Sequence, residues 1–547
     1  MRLYKETFRL FRKDKFLWAV LLAYNVLSMA NIGYWAKVDL GIGSMLEHTR
    51  MILMLCPQFL LLYLILSYEF CSRQHRANLA ETLVATGGGR ANQPAIVQLA
   101  VLTTVLFINF LAVTGLNLFL TSLSFTASRT VDAGHMGAVY IVKCMFVNVF
   151  LISLIGVLLG LVLSKIQKRV VGYGVIMGVA LVVSYLLEEI SMIVMVLTDY
   201  AVNLSDLLDL FQIMPTGLNY QINSAFGFPI MTYRVCLILF WCLVMILILL
   251  VRDSKNKRSI KTLIGLACCI AALIGYALPS SRVDMSLSSS GSVMADQHYY
   301  EVGQYRIGER EGGFEVERYR MDLDVHRLLK AKVTMDVSRC RKEYRFTLSH
   351  SYEVERVTDA QGKEMAFDRD GDALLVDNRR ANTKRITVEY HGANEAYYSN
   401  SQGMNLHGSF PYYPISGYRQ ITEDGLLMNP LFLEQDAWFE IRVHTPKQVY
   451  SNLRQQEDGS WTGMSNGPTL LSGLYTSTVK NGVEIVYAPL SGWNADALDA
   501  VTKAVRKAGY RDCKVFITPI MNREDSAVSE EQILTRNYFE DVSELEV

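Results

Sequence analysis

Several motifs that would assign an enzyme activity are missing from this chain of 547 residues. There is no G-x-x-x-x-G-K-[ST] loop, because the segment Gly87-Gly88-Gly89-Arg90 lacks the lysine and a preceding strand. There is no H-E-x-x-H either, since glutamate follows none of the histidines in the second half: His298, His326, His350, His391, His407 and His444. No C-x-x-C or Cys/His metal spacing occurs. We therefore expect that this chain has no ATPase site and binds no metal or cofactor.

The chain also lacks an excess of charge of one sign. Its 53 basic residues balance 53 acidic ones, so the composition gives no indication of a nucleic-acid partner. Long apolar runs are absent after residue 280 and frequent before it. Crossing a hydrocarbon core takes about 20 helical residues, and seven runs approach or exceed that length. The predicted spans are residues 16–34, 51–68, 95–118, 138–163, 170–197, 233–251 and 262–278.

The basic residues of the first half predict how these spans are oriented. Residues 1–15 form an amphipathic basic segment, which is typical of a helix lying on the membrane surface. Most loop Lys and Arg fall in this segment and in 69–94, 165–169 and 252–261, whereas Lys37, Arg50 and Arg129 are scattered over the other loops. The positive-inside rule puts the N-terminus in the cytoplasm and the chain from residue 280 onward outside.

No cleavable signal peptide is apparent, and this topology suits a bacterial plasma membrane. The predicted organisation is an interfacial helix 1–15, a polytopic α-helical membrane domain 16–279 with a cytoplasmic loop 69–94, a polar tether 280–300 and an outer domain 301–547.

Two features of the membrane half are candidates for a transport pathway. Glu188 and Glu189 interrupt an apolar run. They are either functional carboxylates within the membrane or solvated residues where a helix ends at the outer interface. Residues 204–229 are broken by Pro215 and by several glycines, so we expect short re-entrant or interfacial helices there.

In the outer domain, apolar residues alternate with charged ones, as in a strand with one buried face. The alternating positions are Tyr319, Met321, Leu323, Val325, Val333, Met335, Val337, Ile386, Val388 and Tyr390. With turn signals at 359–362 and 368–372, they predict a mainly antiparallel β domain. Cys340 and Cys513 either form a disulfide or remain two free thiols. An aromatic cluster lines a ligand groove or packs in the core: Tyr397, Tyr398, Phe410, Tyr412, Tyr413 and Tyr418.

The loop after the second span, YEFCSRQHRANLAETLVATGGGRANQPAIVQL (68–99), resembles the coupling-helix region of type-2 ABC exporter permeases. That family has an acidic residue at the end of the span, a basic cluster, an E-x-L-x-x-T segment and a downstream arginine. The matching positions are Glu69, Arg73, Arg76, Glu81, Thr86 and Arg90. The amphipathic N-terminal segment and a proline like Pro215 are similar to the same family, over roughly the first 250 residues, whereas the seventh span departs from its six-span pattern.

This resemblance implies a permease whose ATP and Mg are bound by a separate nucleotide-binding ATPase subunit. A groove of that subunit would receive Glu81 and its neighbours, and a second permease copy or a homologous permease would complete the pathway. The alternative is an ordinary charged loop helix with no partner.

The outer domain resembles the N-terminal non-catalytic β domain of zinc peptidases of the aminopeptidase N type. The matching segments are YRMDLDVHRLLKAKVTMDV (319–337), RVTDAQGKEMAFDRDGDALLV (356–376), RITVEYHG (385–392), HGSFPYYPI (407–415) and FEIRVHTPKQVYSNL (439–453). The family's exopeptidase loop should follow a strand like KVFITPI (514–520), but NREDSAV (522–528) does not match it. The resemblance therefore implies a peptidase scaffold without its zinc site.

Three functions are compatible with these observations. The leading prediction is the permease subunit of an ABC exporter, whose outer domain receives, binds or shields a peptide or a lipid-linked substrate. The alternatives are a membrane-anchored pseudo-peptidase that senses or scaffolds at the surface, and a peptidase completed by another chain that carries H-E-x-x-H.

Overall fold

The computed structural model describes most of both halves of the chain. The described residues are 2–38, 47–78, 93–127, 133–166, 168–183, 190, 193–194, 196–198, 209–211, 213–214, 232–253, 260–278, 299–300, 308–326, 328–394, 396–400, 403–422, 428–491, 493, 495–510, 513–518 and 527–536. The chain divides into two compact units, the first mostly residues 1–282 and the second mostly residues 283–547. The first unit is helical and the second is mainly β-structure.

The described helices of the first unit follow the predicted apolar runs. They are α1 (Arg2–Lys13), α2 (Lys15–Val38), α3 (Glu47–Leu53), α4 (Cys56–Arg76), α5 (Gln93–Ala127), α6 (Ala133–Met145), a π-helical segment (Phe146–Leu151), α7 (Ile152–Leu163), α8 (Arg169–Val183), a 3-10 turn (Asp209–Phe211), α9 (Thr232–Asp253) and α10 (Ile260–Ala277). Each of the seven predicted spans overlaps one of these helices. Within the described residues, five helical stretches are long and apolar enough to cross a membrane: Lys15–Tyr34, Pro94–Leu123, Gly137–Leu163, Thr232–Val251 and Ile260–Ala277.

The predicted second span, 51–68, is not one continuous helix. α3 ends at Leu53 and α4 starts at Cys56, with Pro57 in its first turn. Proline has no N–H to donate to the preceding turn, so it interrupts a helix but is well placed at a helix start. The first residues of the predicted span therefore belong to α3, and α4 continues beyond residue 68 to Arg76.

α4 packs against α7 at very short range. A Cβ atom on Gly156 would lie 2.4 Å from the carbonyl oxygen of Leu60, and one on Gly160 would lie 2.6 Å from that of Leu64. Glycines four residues apart on one helix face allow two backbones to approach in this way, as in small-xxx-small contacts between membrane helices. The glycines of α7 therefore determine how closely the two helices pack.

The second unit begins with two sheets that share a core. A seven-stranded sheet has the order β12-β13-β10-β1-β2-β7-β4, and a four-stranded sheet has the order β5-β6-β3-β9. The strands are β1 (Val316–Val325), β2 (Leu329–Val337), β3 (Glu343–Thr347), β4 (Tyr352–Thr358), β5 (Phe367–Asp370), β6 (Ala373–Asp377), β7 (Arg385–Gly392), β9 (Ile415–Ser416), β10 (Ala437–His444), β12 (Arg454–Gln455) and β13 (Trp461–Ser465). A three-stranded sheet, β11-β14-β8, joins β8 (Met404–Leu406), β11 (Val449–Ser451) and β14 (Leu470–Ser472).

The alternation predicted for this domain is confirmed. The ten predicted apolar positions on β1, β2 and β7 are all buried, at 3% exposure or less. Both predicted turns are present: Gly362 and Gly371 have φ angles of 79° and 53°, which glycine adopts without strain. Most strand pairs are antiparallel, but β1 and β10 run parallel, with Tyr319 opposite Phe439.

The end of the chain forms a different architecture from the predicted antiparallel domain. A five-stranded sheet has the order β15-β16-β17-β19-β18, in which β16, β17 and β19 run parallel. Its elements are β15 (Thr476–Lys480), β16 (Val483–Tyr487), α11 (Ala495–Lys507), β17 (Lys514–Thr518), β18 (Ala527–Val528) and β19 (Gln532–Arg536). α11 connects β16 to β17, because parallel neighbours need a crossover connection. The five-stranded sheet and α11 share a core of their own, which includes Val501, Val505 and Val515.

Candidate functional site

A buried carboxylate lies near the end of α4, where the predicted loop 69–94 begins. Glu69 is 4% exposed. Its Oε2 atom is 3.2 Å from Nε of Arg73 and 3.6 Å from Nη2 of Arg169, and its Oε1 accepts a 2.9 Å hydrogen bond from the Tyr173 hydroxyl. A buried carboxylate is stable when cations and hydrogen-bond donors surround it in this way.

Arg73 extends this network to the N-terminal helices. Its Nη1 atom is 2.7 Å from Oδ2 of Asp14, and Oδ1 of Asp14 accepts a hydrogen bond from the backbone N–H of Leu17 at the start of α2. Asp14 thus caps α2 and binds Arg73 at the same time. We call Asp14, Glu69, Arg73, Arg169 and Tyr173 the ion cluster; it connects the α1–α2 junction with the end of α4 and the start of α8.

Of the other predicted coupling residues, the structure describes Arg76, which contacts its own helix instead of the ion cluster. Arg76 donates to the backbone oxygen and the hydroxyl of Ser72 on its own helix, at 3.2 and 3.0 Å. Glu81, Thr86 and Arg90 lie outside the described residues. The structure brings the predicted residues Glu69 and Arg73 into contact. The sequence prediction did not include Asp14, Arg169 and Tyr173, because no local pattern relates residues so far apart in the chain.

A second polar site lies inside the helical unit. Arg234, near the start of α9, is 5% exposed, and its Nη2 atom donates to Oδ1 of Asn148 at 2.9 Å and to the backbone oxygen of Ile213 at 3.1 Å. Asn148 is 3% exposed and belongs to the π-helical segment, where it also donates to the backbone oxygen of Cys144. π-Helical turns inside helices occur frequently at functional sites.

α9 also contacts a short piece of chain, of which the 3-10 turn 209–211 and residues 213–214 are described. The indole N–H of Trp241 donates to the backbone oxygen of Leu210 at 2.8 Å, and its ring lies 5.5 Å from that of Phe211. Trp241 is about two helical turns beyond Arg234, so this piece runs along α9 instead of across its end. Ile213 and Met214 are buried. Of the segment 204–229, the structure describes residues 209–211 and 213–214, so the re-entrant backbone stays a prediction; Glu188, Glu189 and Pro215 lie outside the described residues.

Sequence reasoning missed Arg234 and Asn148. The sequence signal for Arg234 was a single arginine at the start of an apolar span. An ionisable residue within a membrane helix is a functional candidate in its own right. Its partner was not visible in the sequence, since Asn148 is one of several polar residues in apolar helices.

Five of the six residues of the predicted aromatic cluster are packed in the core of the second unit, and Tyr418 is half-buried. Tyr397, Tyr398, Phe410, Tyr412 and Tyr413 are exposed by 2% or less. The rings of Tyr397 and Phe410 stack at 4.0 Å, and the Tyr412 hydroxyl donates to the backbone oxygen of Pro468 at 2.7 Å. Burial raises the pKa of Tyr398, Tyr412 and Tyr413, so these phenols stay neutral. The rings therefore present no open face to a ligand.

The histidines and cysteines of the outer domain form no metal site within the described part of the chain. No group of three or more His, Cys, Asp or Glu side chains there is arranged to hold a metal ion. Cys340 is exposed, Cys513 is buried, and no disulfide joins them. Of the two alternatives for this pair, the structure has two separate thiols.

No protein-family model matches the chain. No curated protein matches it either. Solved structures with partial similarity include native yeast leukotriene A4 hydrolase, with 11% identity, a TM-score of 0.30 and coverage of 43% of this chain and 44% of that one. An M1 zinc metallopeptidase from Deinococcus radiodurans has 14% identity and a TM-score of 0.29, and the match covers 42% of this chain and 61% of that one. The chain thus spans less than two thirds of these proteins, and similarity at this level assigns no activity to it.

Proposed function

We propose that this chain is the membrane-spanning permease subunit of an ATP-driven exporter, with ATP hydrolysis on a separate subunit. One observation carries the proposal: the ion cluster fixes the base of the predicted coupling loop to three helical elements at once. A force applied to that loop would reach α4 directly, and α2 and α8 through Arg73 and Glu69. An isolated surface loop would need no such buried connection.

The apolar helices support the membrane part of this proposal. Five of them have the length and composition to cross a bilayer, and α1 has the basic and apolar faces of an interfacial helix. In this arrangement the N-terminus is cytoplasmic, the second unit is outside a bacterial plasma membrane, and a second permease copy completes the pathway. The outer unit would receive or shield a peptide or a lipid-linked substrate.

Co-purification from native membranes in mild detergent, followed by mass identification and an ATPase assay, tests the proposal. We expect a nucleotide-binding subunit to travel with the chain and to hydrolyse ATP. Glu81→Arg should abolish this association, and retention of the subunit by that variant would contradict the coupling assignment. A chain that purifies alone and never hydrolyses ATP would contradict the exporter proposal itself.

Glu69→Gln separates coupling from association. It preserves the side-chain shape and an acceptor for Tyr173 but removes the charge that holds Arg73 and Arg169, so we expect the partner to remain bound while ATP hydrolysis uncouples from transport. Arg12→Gln is the matched control, because Arg12 is an exposed cation of α1 with no ion-pair partner within the described residues. Equal effects of the two substitutions would argue against the ion cluster.

A membrane-anchored pseudo-peptidase is the second candidate. The ordered segments resembling aminopeptidase N, together with the lack of H-E-x-x-H in the sequence, favour it. An aminoacyl-amide hydrolysis assay on the purified chain, with and without added zinc, distinguishes it from a peptidase. Hydrolysis by the chain alone would contradict both candidates.

A further inference from the structure

The connections of the outer domain bring two basic loops together. Residues 338–342 connect β2 to β3, and residues 378–384 connect β6 to β7. Since β2 pairs with β7 in one sheet and β3 pairs with β6 in the other, both loops cross between the sheets at the same end. The backbone N–H of Val337 donates to the oxygen of Lys384, and that of Asn378 donates to the oxygen of Lys342, so the loops lie side by side.

Hydrogen bonds between the loops hold them in place. The Asn378 side chain donates to the backbone oxygens of Arg341 and Thr383, at 2.7 and 3.1 Å. The Tyr344 hydroxyl donates to the same oxygen of Thr383 at 2.7 Å, and Lys384 donates to the oxygen of Ser338 at 2.8 Å. The surface formed by residues 338–342 and 378–385, called the basic rim below, is therefore ordered by its own contacts.

The basic rim contains cations and no carboxylates. The first loop carries Arg339, Arg341 and Lys342, and the second segment carries Arg379, Arg380, Lys384 and Arg385; all seven side chains are exposed. Carboxylates flank the rim at Glu315, Asp336, Glu343 and Asp377. The seven cations outnumber the four flanking carboxylates, so this end of the two packed sheets is positively charged. The net charge of the whole chain, in contrast, is zero.

Only two of the seven cations are neutralised by those carboxylates. Nη2 of Arg379 lies 2.7 Å from Oδ2 of Asp377, and Nε of Arg385 lies 2.6 Å from Oδ1 of Asp336. Within the described residues, the other five have no carboxylate partner; Arg341 and Lys384 bind backbone oxygens instead. Five exposed cations on an ordered surface attract an extended anionic surface more strongly than a single small anion.

We propose that the basic rim docks the outer domain onto anionic phospholipid headgroups of the bilayer that holds the helical unit. This inference rests on the proposed membrane location, because the predicted tether 280–300 then keeps the domain beside such a surface. Each basic side chain near an anionic bilayer strengthens binding about fivefold, and the attraction falls off over a Debye length of about 10 Å at 0.1 M salt.

The test uses the full chain reconstituted in nanodiscs. In a Cys268→Ser background, Cys340 is the one exposed thiol among the described residues, and a fluorophore attached there reports on the rim. The discs contain either phosphatidylcholine alone or a mixture with phosphatidylglycerol, and both contain a lipid with a quencher on its headgroup. We expect stronger quenching in the anionic discs, and we expect high salt to abolish the difference.

Two charge-removal variants make the test specific. Arg339→Gln, Lys342→Gln and Arg380→Gln together remove three cations but leave the hydrogen bonds between the loops intact, and they should weaken docking about 100-fold. The matched control removes three exposed cations of α11 by Lys503→Gln, Arg506→Gln and Lys507→Gln, and should leave quenching unchanged.

The outcomes separate this inference from the proposed function. Equal quenching in neutral and anionic discs, or equal effects of the two triple variants, would overturn rim docking while leaving the membrane location standing. Failure of the chain to enter discs of either composition would overturn the membrane location itself. Soluble polyphosphate provides the last comparison. If it binds the rim in neutral discs and anionic discs still give no quenching, the partner is a soluble polyanion and the lipid proposal is wrong.

Discussion

Arg234 illustrates how one side chain can organise several elements. A buried guanidinium is costly unless its donors find acceptors, and here the acceptors come from the π-helical segment and from the piece 209–214. The charge therefore holds together two backbone segments that deviate from regular α-helix. In an exporter, such a contact would be a natural point for the two segments to separate.

A double-mutant cycle measures this contact. We expect Arg234→Gln and Asn148→Ala each to lower the stability of the purified protein, with a coupling energy of about 1.5–3 kcal/mol for a hydrogen bond to a charged group. Arg234→Lys keeps the charge but loses the planar donor geometry, so it should be intermediate. Thermal unfolding in detergent is the measurement, and strictly additive single effects would contradict the pairing.

Asp336 should make the outer domain sensitive to acid. Burial raises the pKa of Asp336, but the hydrogen bonds and charge of Arg385 and the charge of Arg320 outweigh it, and the net pKa is lowered. A carboxylate with a lowered pKa stabilises the folded state above its ordinary pKa of about 4. That contribution disappears as the pH falls from there through the pKa of the folded state.

Unfolding of the outer domain, followed by circular dichroism in urea between pH 7 and pH 2, tests this expectation. Asp336→Asn should lower stability at neutral pH and reduce the loss of stability below about pH 4. Glu317→Gln serves as the control, because Glu317 is exposed on the neighbouring strand β1 and has no ion-pair partner within the described residues. An unchanged pH dependence in Asp336→Asn would show that other carboxylates dominate acid unfolding.

At the scale of elements, the contact between α4 and α7 leaves no room for a methyl group. Gly160→Ala would bring a Cβ within 2.6 Å of the Leu64 oxygen and 2.9 Å of the Tyr68 nitrogen, both backbone atoms. We expect it to destabilise the helical unit by about 1–3 kcal/mol, the usual cost of overpacking. Gly178→Ala is the control, since nothing lies within 4 Å of its added Cβ. Equal melting temperatures in detergent would contradict the close packing.

Local periodicity explains which elements the sequence predicts well. The buried positions of β1, β2 and β7 follow from an alternation of period two, and Gly362 and Gly371 mark the turns after β4 and between β5 and β6. The parallel pair of β1 with β10 was not predictable, because it joins residues more than 100 positions apart and leaves no local pattern. The α/β arrangement after residue 476 was missed for a similar reason, since strand direction within a sheet is a tertiary property.

The same limit applies to the candidate sites. Glu69 and Arg73 are an i, i+4 pair on one helix, which a sequence can indicate. Asp14 and Arg169 join them only because α1, α4 and α8 converge. The aromatic cluster could not be assigned from sequence because its buried members lie between strands, where no periodicity shows which side chains face the core.

For the whole molecule, the exposed thiol of Cys340 provides a test of topology. If the second unit lies outside, a membrane-impermeant maleimide should label Cys340 in intact spheroplasts, and Cys340→Ser should abolish this labelling. A cysteine introduced by Arg12→Cys in that Cys340→Ser background should react only after permeabilisation. Labelling of Cys340 that requires permeabilisation would mean that the predicted number of spans is wrong by one.

The parallel pairing of β1 with β10 also determines when the main sheet can be completed during synthesis. On a ribosome, β1 and β2 emerge early, yet the neighbour on the other side of β1 follows only when Ala437–His444 is made. Until then, one edge of β1 stays without its partner, and unpaired strand edges are sites of aggregation. Translation arrested shortly before residue 437 should therefore leave the nascent domain unfinished, protease-sensitive and dependent on chaperones, whereas arrest after Ser465 should release a domain whose main sheet can close.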